Sequence, residues 1–83
     1  MKAIIVGASS GIGKELAYIL SKEGFEVGLM ARRTHLLESI KADLKTPAFT
    51  SFIDVSKPDD AVQHFERLID EMGGADLIIL NSG

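Results

Sequence analysis

Residues 6–13, which we call the glycine loop, have the composition and spacing of an anion-binding loop. They read Val-Gly-Ala-Ser-Ser-Gly-Ile-Gly and directly follow an apolar run rich in Ile and Val. A glycine-rich turn that opens a helix presents backbone N–H groups and the positive end of the helix dipole to an anion. We expect Gly7 to permit the sharp turn, Gly11 to permit close approach of a phosphate, and Gly13 to permit close helix packing. Ser9 and Ser10 would add hydroxyl donors, and Ile12 belongs to the same loop.

Apolar runs alternate with amphipathic segments along the chain, which predicts the element order βαβαβαβ. Lys2–Val6 has the continuous apolar character of a strand that is buried on both faces. Three further strands are predicted over Phe25–Met30, Ala48–Ile53 and Asp76–Leu80. The glycine loop therefore joins the first strand to the first helix.

Helical spacing of apolar side chains predicts the three connecting helices. Gly11–Glu23 forms the first, and Thr34 and Ser56 are the predicted N-caps of the second and third. The residues expected to face the core are Ile12, Leu16, Ile19 and Leu20 in the first helix, Leu36, Leu37, Ile40 and Leu44 in the second, and Val62, Phe65, Leu68, Ile69 and Met72 in the third.

This element order predicts an α/β fold with a Rossmann-like, doubly wound parallel sheet and strand order 3-2-1-4. Ligands of such sheets bind at the carboxyl ends of the strands, where the strand order reverses. The glycine loop and Asn81-Ser82-Gly83 both fall at that edge. The sheet is incomplete, with an exposed apolar edge at the fourth strand. We therefore expect a fragment of a longer protein; the alternative is a small domain that pairs its open edge in an oligomer.

Gly7–Gly13 resembles the glycine motif of the short-chain dehydrogenase/reductase family. Three later segments at family-like spacing support the resemblance: Ala31-Arg32-Arg33, Asp54-Val55 and Asn81-Ser82-Gly83, each after a predicted strand. The resemblance covers the whole chain. It implies that residues 1–83 form the dinucleotide-binding N-terminal portion of a single-domain Rossmann fold. The implied activity of the complete protein is hydride transfer between a nicotinamide cofactor and a carbonyl or alcohol carbon.

Two positions depart from the family's usual pattern. Val6 stands where the family usually has Thr, and Leu80 stands where it usually has the first Asn of Asn-Asn-Ala-Gly. The first and fourth strands are neighbours in the expected topology. We therefore expect packing between Val6 and Leu80 to replace a polar contact between the strand ends.

The end of the predicted second strand favours NADP(H) over NAD(H). NAD-preferring relatives place an acidic residue there to bind the ribose hydroxyls, whereas this chain has Ala31 followed by Arg32 and Arg33. A carboxylate would repel a 2′-phosphate, and a guanidinium binds it through paired hydrogen bonds. We expect Arg32 to contact the phosphate and Arg33 to stack on the adenine. The alternative is that both arginines form a solvated corner.

The resemblance also assigns the residues around the adenosine. Asp54 would accept a hydrogen bond from the adenine amino group, and the backbone of Val55 would flank the ring. The alternative for Asp54 is a turn carboxylate ahead of the third helix. Asn81, Ser82 and Gly83 would line the ribose and the approach to the nicotinamide.

No catalytic residue is expected in this stretch, although Tyr18-Ile19-Leu20-Ser21-Lys22 fits the family's catalytic Tyr-x-x-x-Lys pattern. At about 1.5 Å per residue, Tyr18 lies about 10 Å along the first helix from its phosphate end. The family's catalytic Ser also has no counterpart here, so the stretch alone is predicted to be inactive. His35 and His64 are isolated, which gives no indication of a metal site.

The composition is typical of a small globular domain. The 83 residues are 46% apolar and 25% charged, with a net charge of −3 and no cysteine. The absence of a long basic run argues against a nucleic-acid partner, and no apolar stretch approaches the roughly 18 residues of a membrane span. We expect a cytoplasmic protein, and the resemblance adds a small carbonyl or alcohol substrate and a homo-oligomer. The alternatives are a non-catalytic dinucleotide-binding sensor, an NAD-using family member, and a structural domain that associates through its open edge.

Overall fold

The computed structural model describes residues 1–81 as a four-stranded parallel sheet with helices on both faces. The strands are β1 (Lys2–Val6), β2 (Glu26–Ala31), β3 (Ala48–Phe52) and β4 (Leu77–Leu80), and the helices are α1 (Gly11–Lys22), α2 (Thr34–Asp43) and α3 (Pro58–Met72). The spatial order β3-β2-β1-β4, with every pair parallel, confirms the predicted fold class. No helix within residues 1–81 combines the length and apolar character that a bilayer span requires.

The sheet separates two apolar cores. On one face, α1 and α2 cover a cluster formed by Ile5, Ala8, Ala17, Val27, Leu29, Ala31, Leu37 and Ile40. On the other face, α3 covers a cluster formed by Ile4, Val6, Met30, Ile53, Leu68 and Met72. Because successive strand residues point to opposite faces, the central strands β1 and β2 are buried on both sides, as their continuous apolar runs predict.

Helix α1 contacts the sheet through small residues. Its buried positions are Gly13, Ala17 and Ser21, which are spaced four residues apart. The prediction that Ile12 and Ile19 face the core is wrong, because these side chains are 71% and 53% exposed. The reason is the short distance between helix and sheet: a Cβ on Gly13 would collide with the backbone of the glycine loop. A helix this close to a strand has no room for large side chains on its inner face.

The N-termini of α2 and α3 also differ from the prediction. Their N-caps are Arg33 and Lys57, not Thr34 and Ser56, and neither N-cap makes a side-chain capping hydrogen bond. Ser56 does not cap α3 because its N–H and its hydroxyl both donate to Oδ1 of Asp54, at 3.0 Å and 2.7 Å. The turn that precedes α3 thus uses the polar groups that the sequence assigns to the helix.

Strand β4 forms an exposed edge of the sheet. Leu77, Ile78 and Leu80 are 39%, 45% and 77% exposed. Val6 and Leu80 are neighbours in the β1–β4 register, while Leu80 remains largely in solvent; packing between the two side chains stays a prediction. Val62 on α3, which was expected to face the core, is also exposed, at 54%.

Candidate functional site

A cleft of about 510 Å³ lies at the carboxyl ends of the strands. Its walls come from the glycine loop and from the segments that follow β2, β3 and β4, and its lining residues are Val6, Gly7, Ser9, Ser10, Ala31, Arg32, Arg33, Leu36, Ile53, Asp54, Val55, Ser56 and Asn81. The predicted site residues within 1–81 all line this cleft except Gly11, Ile12 and Gly13. Ser82 and Gly83, also predicted for the site, lie outside the described residues.

The backbone of the glycine loop is fixed to the end of β2. Gly7 has a φ of +85°, a left-handed conformation that residues with a side chain rarely adopt. The N–H groups of Gly7 and Ala8 both donate to the carbonyl oxygen of Met30, at 2.8 Å and 3.1 Å. A Cβ on Gly7 would collide with the carbonyl of Asn81. Conformation and space therefore both require glycine at this turn.

The start of α1 has the features of an anion site. Ser10, the N-cap, has extended backbone and makes no side-chain capping hydrogen bond, and the first turn carries no acidic residue. Within residues 1–81, no hydrogen bond uses the N–H of Ser9, Gly11 or Ile12. Gly11 has a φ of +59° and nothing within 4 Å of the place where a Cβ would stand. The open backbone and the helix dipole together suit a phosphate group.

Gly13 and Asn81 connect the glycine loop to the end of β4. The backbone N–H of Asn81 donates to the carbonyl oxygen of Val6 at 2.9 Å, and its side-chain Nδ2 donates to the carbonyl oxygen of Gly7 at 3.0 Å. A Cβ on Gly13 would lie 2.7 Å from that Nδ2. Asn81 therefore holds the loop in place in addition to lining the cleft. Sequence reasoning assigned it only to the ligand, since the contact joins residues 74 positions apart.

One wall of the cleft is basic. Arg32 and Arg33 are exposed residues directly after β2, while Ala31, the last residue of that strand, is 5% exposed. Asp54 is the one acidic residue among those that line the cleft. The wall at the end of β2 can therefore hold a negatively charged group without repulsion from a neighbouring carboxylate at that strand end.

Asp54 is a half-buried residue that follows β3 and lines the cleft. Hydrogen bonds from the hydroxyl and the N–H of Ser56 hold the pKa of Asp54 below its usual range, and the charges of Arg32 and Lys57 act in the same direction. The carboxyl group is therefore ionised at neutral pH and can only accept hydrogen bonds. Asp54 therefore has the turn role that the sequence left open as an alternative, and it also lines the cleft.

Five lining residues were not predicted as site residues: Val6, Ala31, Leu36, Ile53 and Ser56. Leu36, in the first turn of α2, and Ile53, which is 6% exposed, both contribute apolar surface to the cleft. Their spacing within apolar stretches gave no signal other than a place in the core. Ser56 was interpreted as a helix cap, and its separation of two residues from Asp54 is the signal that could have identified the turn.

Tyr18 is remote from the cleft. Its hydroxyl donates to Oδ2 of Asp43 on α2 at 2.9 Å, and this hydrogen bond raises the pKa of Tyr18. A raised pKa makes the phenol a poorer proton donor, which is the reverse of what a catalytic tyrosine needs. Among residues 1–81, no three His, Asp or Glu side chains lie close enough together to hold a metal ion.

Comparison with known proteins identifies close sequence relatives. A family model described as short chain dehydrogenase matches residues 1–83. A farnesol dehydrogenase from Aedes aegypti is 38% identical over 85 residues, which cover 98% of this chain and 35% of that protein. An uncharacterized oxidoreductase from Listeria monocytogenes is 41% identical over 83 residues, which cover 96% of this chain and 34% of that protein. The chain thus spans about a third of the length of these relatives.

Solved structures agree with the sequence comparison. An alcohol dehydrogenase from Thermococcus sibiricus, complexed with 5-hydroxy-NADP, superposes with a TM-score of 0.85 at 30% identity over 93% of this chain and 34% of that one. An actinorhodin polyketide ketoreductase with NADPH gives a TM-score of 0.88 at 29% identity, over 99% of this chain and 33% of that one. A 3-ketoacyl-(acyl-carrier-protein) reductase from Brucella melitensis, complexed with NADH, gives 0.83 at 27% identity, over 93% of this chain and 32% of that one.

Proposed function

The chain belongs to the short chain dehydrogenase family, and we propose that it binds NADP(H) for an oxidoreductase acting on a carbonyl or alcohol. Cofactor binding is proposed for residues 1–83, and hydride transfer for the complete protein, since the chain spans only 35% and 34% of the two relatives described above. When bound, the nicotinamide supplies the hydride chemistry, and the protein supplies position and electrostatics.

The observation that supports NADP(H) over NAD(H) is the wall formed by Ala31, Arg32 and Arg33. Related structures contain NADPH in one case and NADH in another, so the choice rests on residues of this chain. Both arginines are exposed at the cleft, and the strand ends in alanine where a carboxylate would select NAD(H). Arg32 would bind the 2′-phosphate through paired hydrogen bonds, and Arg33 would stack on the adenine.

The rest of the cleft fits the remaining parts of the cofactor. The pyrophosphate would bind at the N-terminus of α1, where Gly11 leaves the backbone open and the N–H groups of Gly11 and Ile12 have no partner within residues 1–81. The adenine would lie beside Asp54 and Val55, which both line the cleft. Asn81, Ser82 and Gly83 would line the ribose and the approach to the nicotinamide.

Calorimetric titration of the chain with NADPH and NADH tests the proposal. Wild type should prefer NADPH, and Arg32→Asp should weaken NADPH binding by about 10- to 100-fold, since a hydrogen bond to a charged group contributes about 1.5–3 kcal/mol. NADH binding should change much less. Arg67→Asp is the matched control, because Arg67 is an exposed residue of α3 that does not line the cleft. Unchanged NADPH affinity in the Arg32 variant would refute the phosphate assignment.

Turnover by the complete protein separates an enzyme from a non-catalytic sensor. We expect consumption of NADPH with members of a panel of aldehydes and ketones, and binding without turnover would favour the sensor. The small carbonyl or alcohol substrate, the homo-oligomeric state and the cytoplasmic location stay predictions.

A further inference from the structure

The turn between β3 and α3 fixes one carboxylate oxygen with two hydrogen bonds from a single residue. Oδ1 of Asp54 accepts the N–H of Ser56 at 3.0 Å and its hydroxyl at 2.7 Å. The backbone carbonyl of Asp54 also accepts the N–H of Lys57, at 3.0 Å. Asp54 and Ser56 both line the cleft, so the geometry of this turn is the geometry of part of the cleft wall.

These hydrogen bonds give the two carboxylate oxygens of Asp54 different roles. Within residues 1–81, Oδ1 of Asp54 has its partners in Ser56, whereas no hydrogen bond reaches Oδ2. A carboxylate held by two bonds to one oxygen cannot rotate freely, and therefore presents the other oxygen in one orientation. Because an ionised carboxylate only accepts hydrogen bonds, the ligand group opposite Oδ2 must be a donor.

Adenine and hypoxanthine differ in this respect at position 6 and at the adjacent N1, which accepts in adenine and carries a donating hydrogen in hypoxanthine. Adenine carries an amino group at position 6, which donates, and hypoxanthine carries a carbonyl oxygen there, which accepts. A carboxylate held opposite position 6 favours adenine and disfavours hypoxanthine, because two acceptors cannot share a hydrogen bond. A carboxylate that is free to turn could instead accept the N1–H of hypoxanthine, so the selectivity depends on its orientation.

We infer that Ser56 is a positioning residue: it orients the Asp54 carboxylate toward the 6-amino group of the cofactor's adenine and so sets the selectivity for the base. The inference rests on the proposed NADP(H) site. The effect of Ser56 on the base is transmitted through Asp54.

The experiment compares NADPH with reduced nicotinamide hypoxanthine dinucleotide phosphate, by calorimetric titration of wild type and Ser56→Ala. Removal of the hydroxyl should weaken NADPH binding by about 3- to 10-fold, the range for loss of the hydrogen bond between Asp54 and the adenine amino group, and should change binding of the hypoxanthine cofactor by less than about twofold. Ser56→Thr, which keeps a hydroxyl, should restore NADPH binding. Ser51→Ala is the matched control, since Ser51 lies on β3 and does not line the cleft.

A second variant separates positioning from a general effect on the fold. In Asp54→Asn, the amide replaces the carboxylate, so the preference for adenine over hypoxanthine should decrease, and Ser56→Ala should cause no further decrease in that background. Equal weakening of both cofactors by Ser56→Ala, or no weakening of either, would overturn the inference and leave the proposed function standing. Failure of wild type to bind either cofactor would overturn both.

Discussion

Replacement of Gly13 by Ala tests whether the close approach of α1 shapes the cleft. The added Cβ would lie 2.7 Å from Nδ2 of Asn81 and 3.2 Å from Cα of Ala8, and it would also collide with the carbonyl oxygen of Gly7. Two of these atoms belong to the backbone, and the third belongs to the amide that donates to Gly7. Because two of the contacts are with backbone, the protein can remove the collision only if α1 moves away from the glycine loop, and the contact with Nδ2 also displaces the amide of the Asn81–Gly7 hydrogen bond.

The expected cost follows from three opposing effects. Overpacking of a tight contact costs about 1–3 kcal/mol, and the lost hydrogen bond costs about 0.5–1.5 kcal/mol. The preference of a helix for Ala over Gly stabilises the variant by about 1 kcal/mol and offsets part of this cost. We therefore expect Gly13→Ala to lower the free energy of unfolding by about 2 kcal/mol. That is a large part of the roughly 4–12 kcal/mol typical of a chain of this length.

Urea unfolding followed by far-ultraviolet circular dichroism measures this cost, since the chain has no tryptophan to report by fluorescence. Asn81→Ala provides the matched background, because it removes both Nδ2 and the hydrogen bond. Gly13→Ala should cost less there than in wild type, and NADPH affinity should decrease in both single variants. A stable Gly13→Ala protein, or strict additivity of the two changes, would refute the reasoning.

Three further predictions concern side-chain hydrogen bonds. Ser21→Ala should lower the free energy of unfolding by about 1–3 kcal/mol, because its buried hydroxyl bonds Oγ1 of Thr46 and two backbone N–H groups; in urea unfolding, Thr46→Val should cost less in that variant than alone. The pKa of Tyr18, followed by ultraviolet absorbance, should decrease in Asp43→Asn, since Asp43 raises it. The stability that this bond contributes is present at lower pH and is lost as pH rises through the raised pKa. Asp54 has a lowered pKa, so its contribution is lost as pH falls through that value, and Asp54→Asn should weaken the acid dependence of thermal unfolding.

The sequence predicts the strand order and most of the cleft for one physical reason. In a parallel sheet, the residues that follow each strand meet at the same edge. Arg32, Asp54 and Asn81 each come within two residues of a strand end, so knowledge of the strands is enough to bring them together. Side-chain positions are not needed for this prediction. Arg32, Asp54 and Asn81 all line the cleft.

The features that the sequence did not predict depend on tertiary distances. Hydropathy patterns give weight to large side chains, so they pointed to Ile12 and Ile19 on α1. The distance from helix to sheet instead selects the smallest residues, Gly13 and Ala17. Ser56 shows the same limit for polar groups: a serine before a helix is typical of a cap, and only the position of Asp54 decides that the hydroxyl donates elsewhere.

The glycine loop is therefore coupled to β4 and is not a self-contained motif. Asn81, directly after β4, donates to the carbonyls of Val6 and Gly7, and the absence of side chains at Gly7 and Gly13 leaves the space that it occupies. Since β4 is the exposed edge of the sheet and pairs only with β1 among the described strands, separation of β4 from β1 would release the loop. A cofactor that binds only the formed loop stabilises the paired strand by the same linkage. Protection of the β4 amides against hydrogen exchange should therefore increase when NADPH binds, although no residue of β4 lines the cleft.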